Sequence, residues 1–347
     1  MKYAWWPHTT NLAVASYRLR CARIVEQLQN GGFDAGLYYP GIKPEILILS
    51  KRYDRKSVET AQMLRRDYGT RLVLDLCDNH FYADSASTVW EKRAKDLSEA
   101  ITTVDLVVAS TDQLATVITS EIGNTNIVVI GDAVEPPYQP SGLSLALHPL
   151  AHLRLLSLRA KMAKDTIPQG HRLIWFGNHG SGNAAGGMSD LNHLQGILER
   201  CHQNHPISLT VISNNRDKYQ QTTLSWSIPT YYLDWNLSTF SRALKLHDVA
   251  VIPVTRNPFT LCKTNNRILT ALLHGLGVIA DSIPSYQSLA ECVELDNWEE
   301  GIIKLTEDKI YKDKSVAAGV QKINHEWSID HIANQWLTAL DSINEAA

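Results

Sequence analysis

Lys263 and Arg267 stand four residues apart soon after an apolar run, Val249 to Val254, near what reads as the start of a helix. At that spacing both side chains project from one helix face beside unpaired backbone amides, which suits phosphate oxygens. Arginine forks across two such oxygens, and lysine supplies a point charge. Asn266 and Thr264 add hydrogen-bonding groups, although Thr264 reads equally well as a helix N-cap. A solvated helix face is the plain alternative for the whole group.

A second phosphate-type feature is the turn Gly177-Asn178-His179-Gly180-Ser181-Gly182-Asn183-Ala184-Ala185-Gly186-Gly187-Met188, which precedes a helical pattern beginning near Asp190. Glycines there let backbone amides approach an anion closely. Gly177, Gly180 and Gly182 do not give the GxGxxG dinucleotide fingerprint, and a surface loop is the alternative. Asp75, Asp78 and His80 lie at and beyond the end of the apolar run Leu72 to Leu76. A carboxylate or imidazole there takes a proton from a hydroxyl when its pKa suits the working pH. Asp78 is the first candidate base, and His80 an alternative base or a ligand. Capping is the competing reading, and Asp78-Asn79-His80 without a second cluster is weak evidence for a metal. His8 follows the opening apolar run and reads as a cleft residue or a surface histidine. Tyr232 and Trp235 suit stacking on a planar ring or ordinary core packing.

The framework for these groups is legible in the chain's rhythm. At 347 residues it exceeds what one core usually supports, so two domains are expected. Hydrophobic residues at 44% and charged residues at 20% argue against disorder. A formal charge of −3 gives no global pull toward nucleic acid. Cys21, Cys77, Cys201, Cys262 and Cys292 are scattered without a CxxC pair, so neither disulfides nor zinc are indicated and a reducing cytoplasm fits. The start lacks a signal-peptide core, and no stretch approaches the ~20 apolar residues of a membrane span.

Short apolar runs alternate with helical patterns, predicting parallel strands at Tyr3 to Trp6, Ala35 to Tyr39, Ile46 to Leu49, Leu72 to Leu76, Leu106 to Ala109 and Ile127 to Ile130. After a break at Glu135 to Gly142 the rhythm resumes with Leu173 to Phe176, Leu209 to Ile212, Tyr231 to Leu233, Val249 to Val254 and Val278 to Ala280. The expected fold class is α/β, with two tandem Rossmann-like doubly wound domains facing a cleft at the carboxyl ends of their strands. The expected division is 1–165, 166–328 and a closing helix, 329–347, that returns to the first domain.

The stretch Asp248-Val249-Ala250-Val251-Ile252-Pro253-Val254, with Asn257-Pro258-Phe259, Lys263-Thr264-Asn265-Asn266-Arg267 and Ala271-Leu272-Leu273-His274-Gly275-Leu276-Gly277-Val278-Ile279-Ala280, resembles the donor-site region of GT-B glycosyltransferases of the group 1, family 4-like type. Leu72 to His80, Asp105 to Thr111, Leu173 to Asn178 and Ile329 to Leu340 resemble further parts of that family in the same order. Two departures stand out: the family's paired glutamates would fall at Thr270 and near Cys262, and Gly277 replaces its proline.

The resemblance implies a metal-independent, hexosyltransferase-like enzyme of polysaccharide or glycoconjugate biosynthesis. It would use a nucleotide-diphosphate sugar as co-substrate, with no cofactor. Lys263, Arg267, Thr264, Asn266, Gly177, Asn178 and His179 would hold the donor diphosphate. Asp78 and His80 would be catalytic, His8, Asn79 and Asn257 would contact sugar or acceptor, and Tyr232 and Trp235 would hold the nucleobase. Acceptors would be a glycan or a lipid-linked glycan, with no nucleic-acid partner and a cytoplasmic location. Basic residues from Lys51 to Arg66 read as a solvated helix, or as peripheral contact with the inner membrane face. Alternatives are a sugar-nucleotide epimerase on the same fold and a non-catalytic sugar-nucleotide or glycan-binding protein.

Overall fold

The computed structural model describes residues 1–138, 147–165, 167–168 and 171–345. The expected domain connection at Glu135 to Gly142 therefore lies outside the described residues beyond Tyr138. Two compact units emerge: Met1–Val134 with Leu261–Thr264 and Asn324–Ala347, and Glu135–Thr260 with Asn265–Ile323.

The first unit holds a parallel six-stranded sheet, ordered β2-β1-β3-β4-β5-β6. Its strands are β1 (Tyr3–Pro7), β2 (Ala35–Leu37), β3 (Ile46–Ser50), β4 (Arg71–Leu76), β5 (Leu106–Ala109) and β6 (Ile127–Val129). Every residue of β3 is buried, as its unbroken apolar sequence predicts for a strand covered on both faces. One face is covered by α1 (Ala15–Tyr17, a π-helical turn Arg18–Ala22, then Arg23–Asn30) and by the closing helix Ile329–Glu345, whose Trp336 meets Trp5 edge-on at 5.7 Å. The other is covered by α2 (Arg55–Tyr68), α3 (Thr88–Ile101) and α4 (Asp112–Ile122). Asp54, Ser87 and Thr111 cap these three helices through their side chains.

The second unit repeats the plan with the order β12-β11-β10-β7-β8-β9. Here β7 is Arg172–Phe176, β8 Ser208–Ser213, β9 Thr230–Asp234, β10 Val249–Ile252, β11 Gly277–Ala280 and β12 Glu294–Leu295. The two-residue β12 was not expected from the sequence, because Glu294-Leu295 is too short to display a period. Helix α5 (Pro149–Met162) packs on β9 and on α8 (Leu237–Leu244). Further helices among the described residues are α6 (Gln195–Asn204), α7 (Arg216–Thr223), α9 (Asn266–Leu273), α10 (Trp298–Glu307) and α11 (Lys309–Glu326); Ile329–Glu345 is α12.

In both sheets the strand order reverses once, between β1 and β3 and between β7 and β10. The loops leaving those strands stand at the carboxyl edge of each sheet, the position at which open α/β sheets bind ligands. His8 and Lys51 leave the first pair; Gly177 and the turn at Asn257 leave the second. Among the described residues no helix is long and apolar enough to cross a membrane.

Candidate functional site

In the first unit, Asp78 follows β4 by two residues and is buried. Its two oxygens accept hydrogen bonds from Nζ of Lys51 and Nζ of Lys263. Burial would raise the pKa of this carboxyl, but Lys263 and Lys51 outweigh it and hold Asp78 well below the ordinary carboxylate range. Such a carboxylate is a poor general base, since efficient bases titrate near the working pH. Lys51 adopts the left-handed region at φ 54°, a strained conformation for a long side chain. Burial would lower its pKa, yet the Asp78 carboxylate outweighs this and keeps it raised, so the ammonium stays charged.

His80 is also buried. Arg93 Nε donates to the Tyr53 hydroxyl at 2.8 Å, and that hydroxyl lies 2.6 Å from Nδ1 of His80. Nε2 of the same ring stands 3.8 Å from Asp78 Oδ2. Burial pushes the His80 pKa down to about 3; Asp78 opposes this and Arg93 reinforces it. The ring is therefore neutral near pH 7, with Nδ1 engaged by Tyr53. The structure thus brings Asp78 and His80, the two residues the sequence suggested as bases, together in one buried cluster with Lys51 and Lys263. Asn79 is buried, and its Oδ1 receives the backbone N–H of Phe81 at 3.1 Å, so it shapes the turn. His8 has an exposed edge; desolvation of the ring, then Lys51 and Arg52, push its pKa down to about 4.

Behind this cluster lies a buried ion network that the sequence did not signal. Arg20, in the π-helical turn of α1, donates to Asp75 at 2.7 and 2.8 Å, to the Ile130 carbonyl at 2.9 Å and to Asp132 at 3.0 Å. The remaining Asp132 oxygen accepts from the Thr264 hydroxyl at 2.7 Å, and Thr111 donates to the Cys262 carbonyl at 3.1 Å. Residues 261–264 are thereby pinned to the first unit, which fixes Lys263 beside Asp78.

That placement corrects one expectation. The helix begins at Asn266 with Asn265 as N-cap, so Lys263 precedes it and does not share a helical face with Arg267. Thr264 is likewise no N-cap; its hydroxyl serves Asp132. The 3₁₀ turn Thr260–Cys262 ends the strand-to-helix connection early, a shift of a few residues that spacing alone does not reveal.

In the second unit, the glycine-rich turn folds back on itself. The Met188 N–H donates to the His179 carbonyl at 3.2 Å, and Lys218 Nζ donates to the same oxygen at 2.7 Å. Gly187 has φ 78°, and a Cβ there would stand 2.6 Å from the backbone of Gly180, so no other residue fits. Asn178 Oδ1 accepts from the Gly180 N–H at 3.2 Å, and His179 Nδ1 lies 2.9 Å from Asn214 Oδ1. Arg267 joins this turn: a Cβ on Gly177 would lie 3.8 Å from its Cδ. Its charge also opposes the burial-driven rise in the Tyr286 pKa. Asn266 opens helix α9 one residue earlier.

Other residues expected at the site also make contacts within the protein. The Asn257 side chain donates to the Ala185 carbonyl at 3.0 Å and accepts from the N–H groups of Phe259 and Thr260 at 3.0 and 2.9 Å. It ties the β10 turn to the glycine-rich turn, an arrangement Asp190 reinforces by accepting from the Thr255 hydroxyl at 2.6 Å. Tyr232 donates to the Ser213 carbonyl at 3.0 Å, and the guanidinium of Arg216 sits 4.8 Å from its ring centre. Trp235 packs beside Phe240 at 6.1 Å. Among the described residues no group of three or more His, Cys, Asp or Glu is placed to hold a metal ion.

No protein-family model and no curated protein matches the chain. Solved structures do. Sucrose-phosphate synthase from Thermosynechococcus elongatus aligns with TM-score 0.67 and 11% identity over 100% of both chains. HepE from Anabaena, solved in complex with UDP, aligns with TM-score 0.66 and 13% identity over 99% of this chain and 100% of HepE. TarM aligns with TM-score 0.61 and 12% identity over 91% of this chain, which spans 57% of TarM. These neighbours are glycosyltransferases of the GT-B type. The fold is GT-B.

Within this GT-B chain, sequence reasoning missed Lys51, Lys218, Asp190 and Arg20. In the sequence Lys51 falls in a basic run whose other members are largely spoken for: Arg52 donates to the Pro7 carbonyl, Arg55 pairs with Glu59 and Arg65 with Asp105. The available signal was position, because Lys51 is the first residue after β3 at the reversal of strand order. Asp190 and Lys218 touch the glycine-rich turn from elements whose approach depends on tertiary packing.

Proposed function

We propose that the chain is a cytoplasmic group 1, family 4-like glycosyltransferase that moves a sugar from a nucleotide-diphosphate donor to a glycan or lipid-linked acceptor. The observation that carries this reading is the turn from Gly177 to Gly187, closed by glycines with positive φ and flanked by the stem of Arg267 at the strand-order reversal of the second sheet. Backbone amides and a guanidinium in that arrangement suit a diphosphate. The GT-B fold raises the prior for such chemistry without fixing it.

In this reading Arg267 and the turn amides stabilise charge on the leaving diphosphate without a metal, the role that the sequence pattern also gives Lys263. Asp78 and Lys51 hold the Lys263 ammonium, and His8 faces the sugar or acceptor. The acceptor's proton passes to the departing phosphate. HepE has been solved with UDP-glucose, which makes UDP-sugars the first donors to try. Thr270 and buried Cys262 stand where family members carry glutamates, and this favours a donor-binding protein without transferase activity as the second reading. A thermal-shift panel of UDP, GDP, ADP and CMP with their sugar conjugates, followed by product analysis, tests both. Ligand present at 100 times its dissociation constant adds about 2.7 kcal/mol. Stabilisation by one nucleotide with sugar transfer supports the first reading, stabilisation without turnover the second, and no shift at all overturns both.

A further inference from the structure

Helix α5 buries His152, Leu155, Leu158 and Met162 against its own unit. Its opposite face is apolar where a surface helix is normally polar. Leu147, Leu150, Leu153 and Leu156 are 65, 68, 60 and 60% exposed. At 3.6 residues per turn Leu150, Leu153 and Leu156 cover about 120° of the outward face. Arg154 and Lys161 flank it on one side and Arg159 on the other, all exposed, and no Asp or Glu occurs between Leu147 and Lys164. Arg154 reaches Asp234 at 2.5 Å. Among the described residues Arg159, Lys161 and Lys164 make no ion pair.

We propose that this face of α5 docks on an anionic lipid surface. Leucines bordered by basic residues are what an interfacial helix presents to the headgroup boundary. Charge complementarity selects the occupant: a two-fold pairing of the same face with a second copy would set these cations against one another. An anionic bilayer supplies both an apolar layer and the opposite charge. The proposal is independent of the donor site, so its failure leaves the transferase reading untouched.

The test is co-sedimentation of the full chain with vesicles of phosphatidylcholine alone and of phosphatidylcholine with one third phosphatidylglycerol. The chain should pellet with the anionic vesicles and remain largely in solution with the neutral ones. L150S/L153S/L156S should abolish pelleting without lowering the melting temperature, because the three leucines are already exposed. R159E and K161E should each weaken it at least about fivefold, the equivalent of one basic residue at such a surface; these variants also serve if the leucine variant fails to fold. Wild-type protein that stays in solution, or a leucine variant that pellets equally well, overturns the proposal. So does a dimer in light scattering that the leucine variant dissociates, which would assign the face to a second copy.

Discussion

The carboxylate of Asp78 accepts a hydrogen bond from Lys263, 185 residues later in the chain. Lys51 holds the other Asp78 oxygen, so one carboxylate keeps two ammonium groups close together. The two lysines therefore differ from Asp78 in what their loss should do. K263A leaves Asp78 paired with Lys51, so its melting temperature should stay near wild type while nucleotide-diphosphate affinity falls about tenfold, or 1.4 kcal/mol. D78N strands two partly exposed cations and should cost about 2–3 kcal/mol, less than the break of a fully buried pair. Denaturant melts and calorimetric titration with UDP read both. Equal effects of the two variants on both observables would remove this division of labour.

Gly187 offers a backbone test. Its φ of 78° and the 2.6 Å approach of a would-be Cβ to Gly180 mean that G187A must open the turn. A residue forced into such a conformation costs on the order of 1–3 kcal/mol. Both stability and nucleotide affinity should fall, whereas G275A should cost stability alone: Gly275 also has positive φ, but meets nothing within 4 Å. If G187A binds nucleotide as wild type does, the turn is not the phosphate site.

The doubly wound plan was legible because buried parallel strands write themselves as unbroken apolar runs; β3 and β10 are buried at every residue. Edges were harder, as β12 illustrates. Of the site, the glycine-rich turn was readable because positive φ restricts the residue type at Gly180, Gly186 and Gly187. Lys263 was readable as a residue, although its setting was not. Its partner Asp78 and the Arg20 network behind Thr264 come from distant parts of the chain, and one sequence carries no signal for such pairs. The roles of Asn257 and Tyr232 are not legible for a related reason: polar and aromatic side chains at a strand end look alike whether they face a ligand or hold a turn.

His80 predicts a pH dependence of stability. Burial lowers its folded pKa to about 3 from an ordinary 6.5, so between those values the unfolded chain binds the proton and the folded chain does not. Stability should therefore rise with pH across that window and flatten above it. Asp78 acts in the same direction at more acid pH, because its depressed pKa gives stability that disappears as the carboxylate is protonated. The melting temperature of H80Q should climb less steeply than wild type between about pH 4 and pH 6. Parallel profiles for the two proteins would mean that His80 takes up its proton at the same pH in the folded and unfolded chain.

Arg267 separates charge from geometry at the donor site. Its stem runs past Gly177, and its guanidinium influences the buried Tyr286 hydroxyl, so the fork is aimed by packing on both sides. Lysine retains the charge but cannot bridge two phosphate oxygens. If Arg267 binds the diphosphate bidentately, R267K should lose most of what R267A loses, about tenfold to a hundredfold in nucleotide affinity for a charge-assisted pair. If the residue supplies only a positive field, R267K should bind nearly as wild type and R267A alone should fail. Titrations with UDP and with UMP sharpen the comparison, since a diphosphate contact should leave UMP affinity almost unchanged in both variants. An equal loss for UMP and UDP would move Arg267 away from the terminal phosphate and onto the nucleoside side of the site.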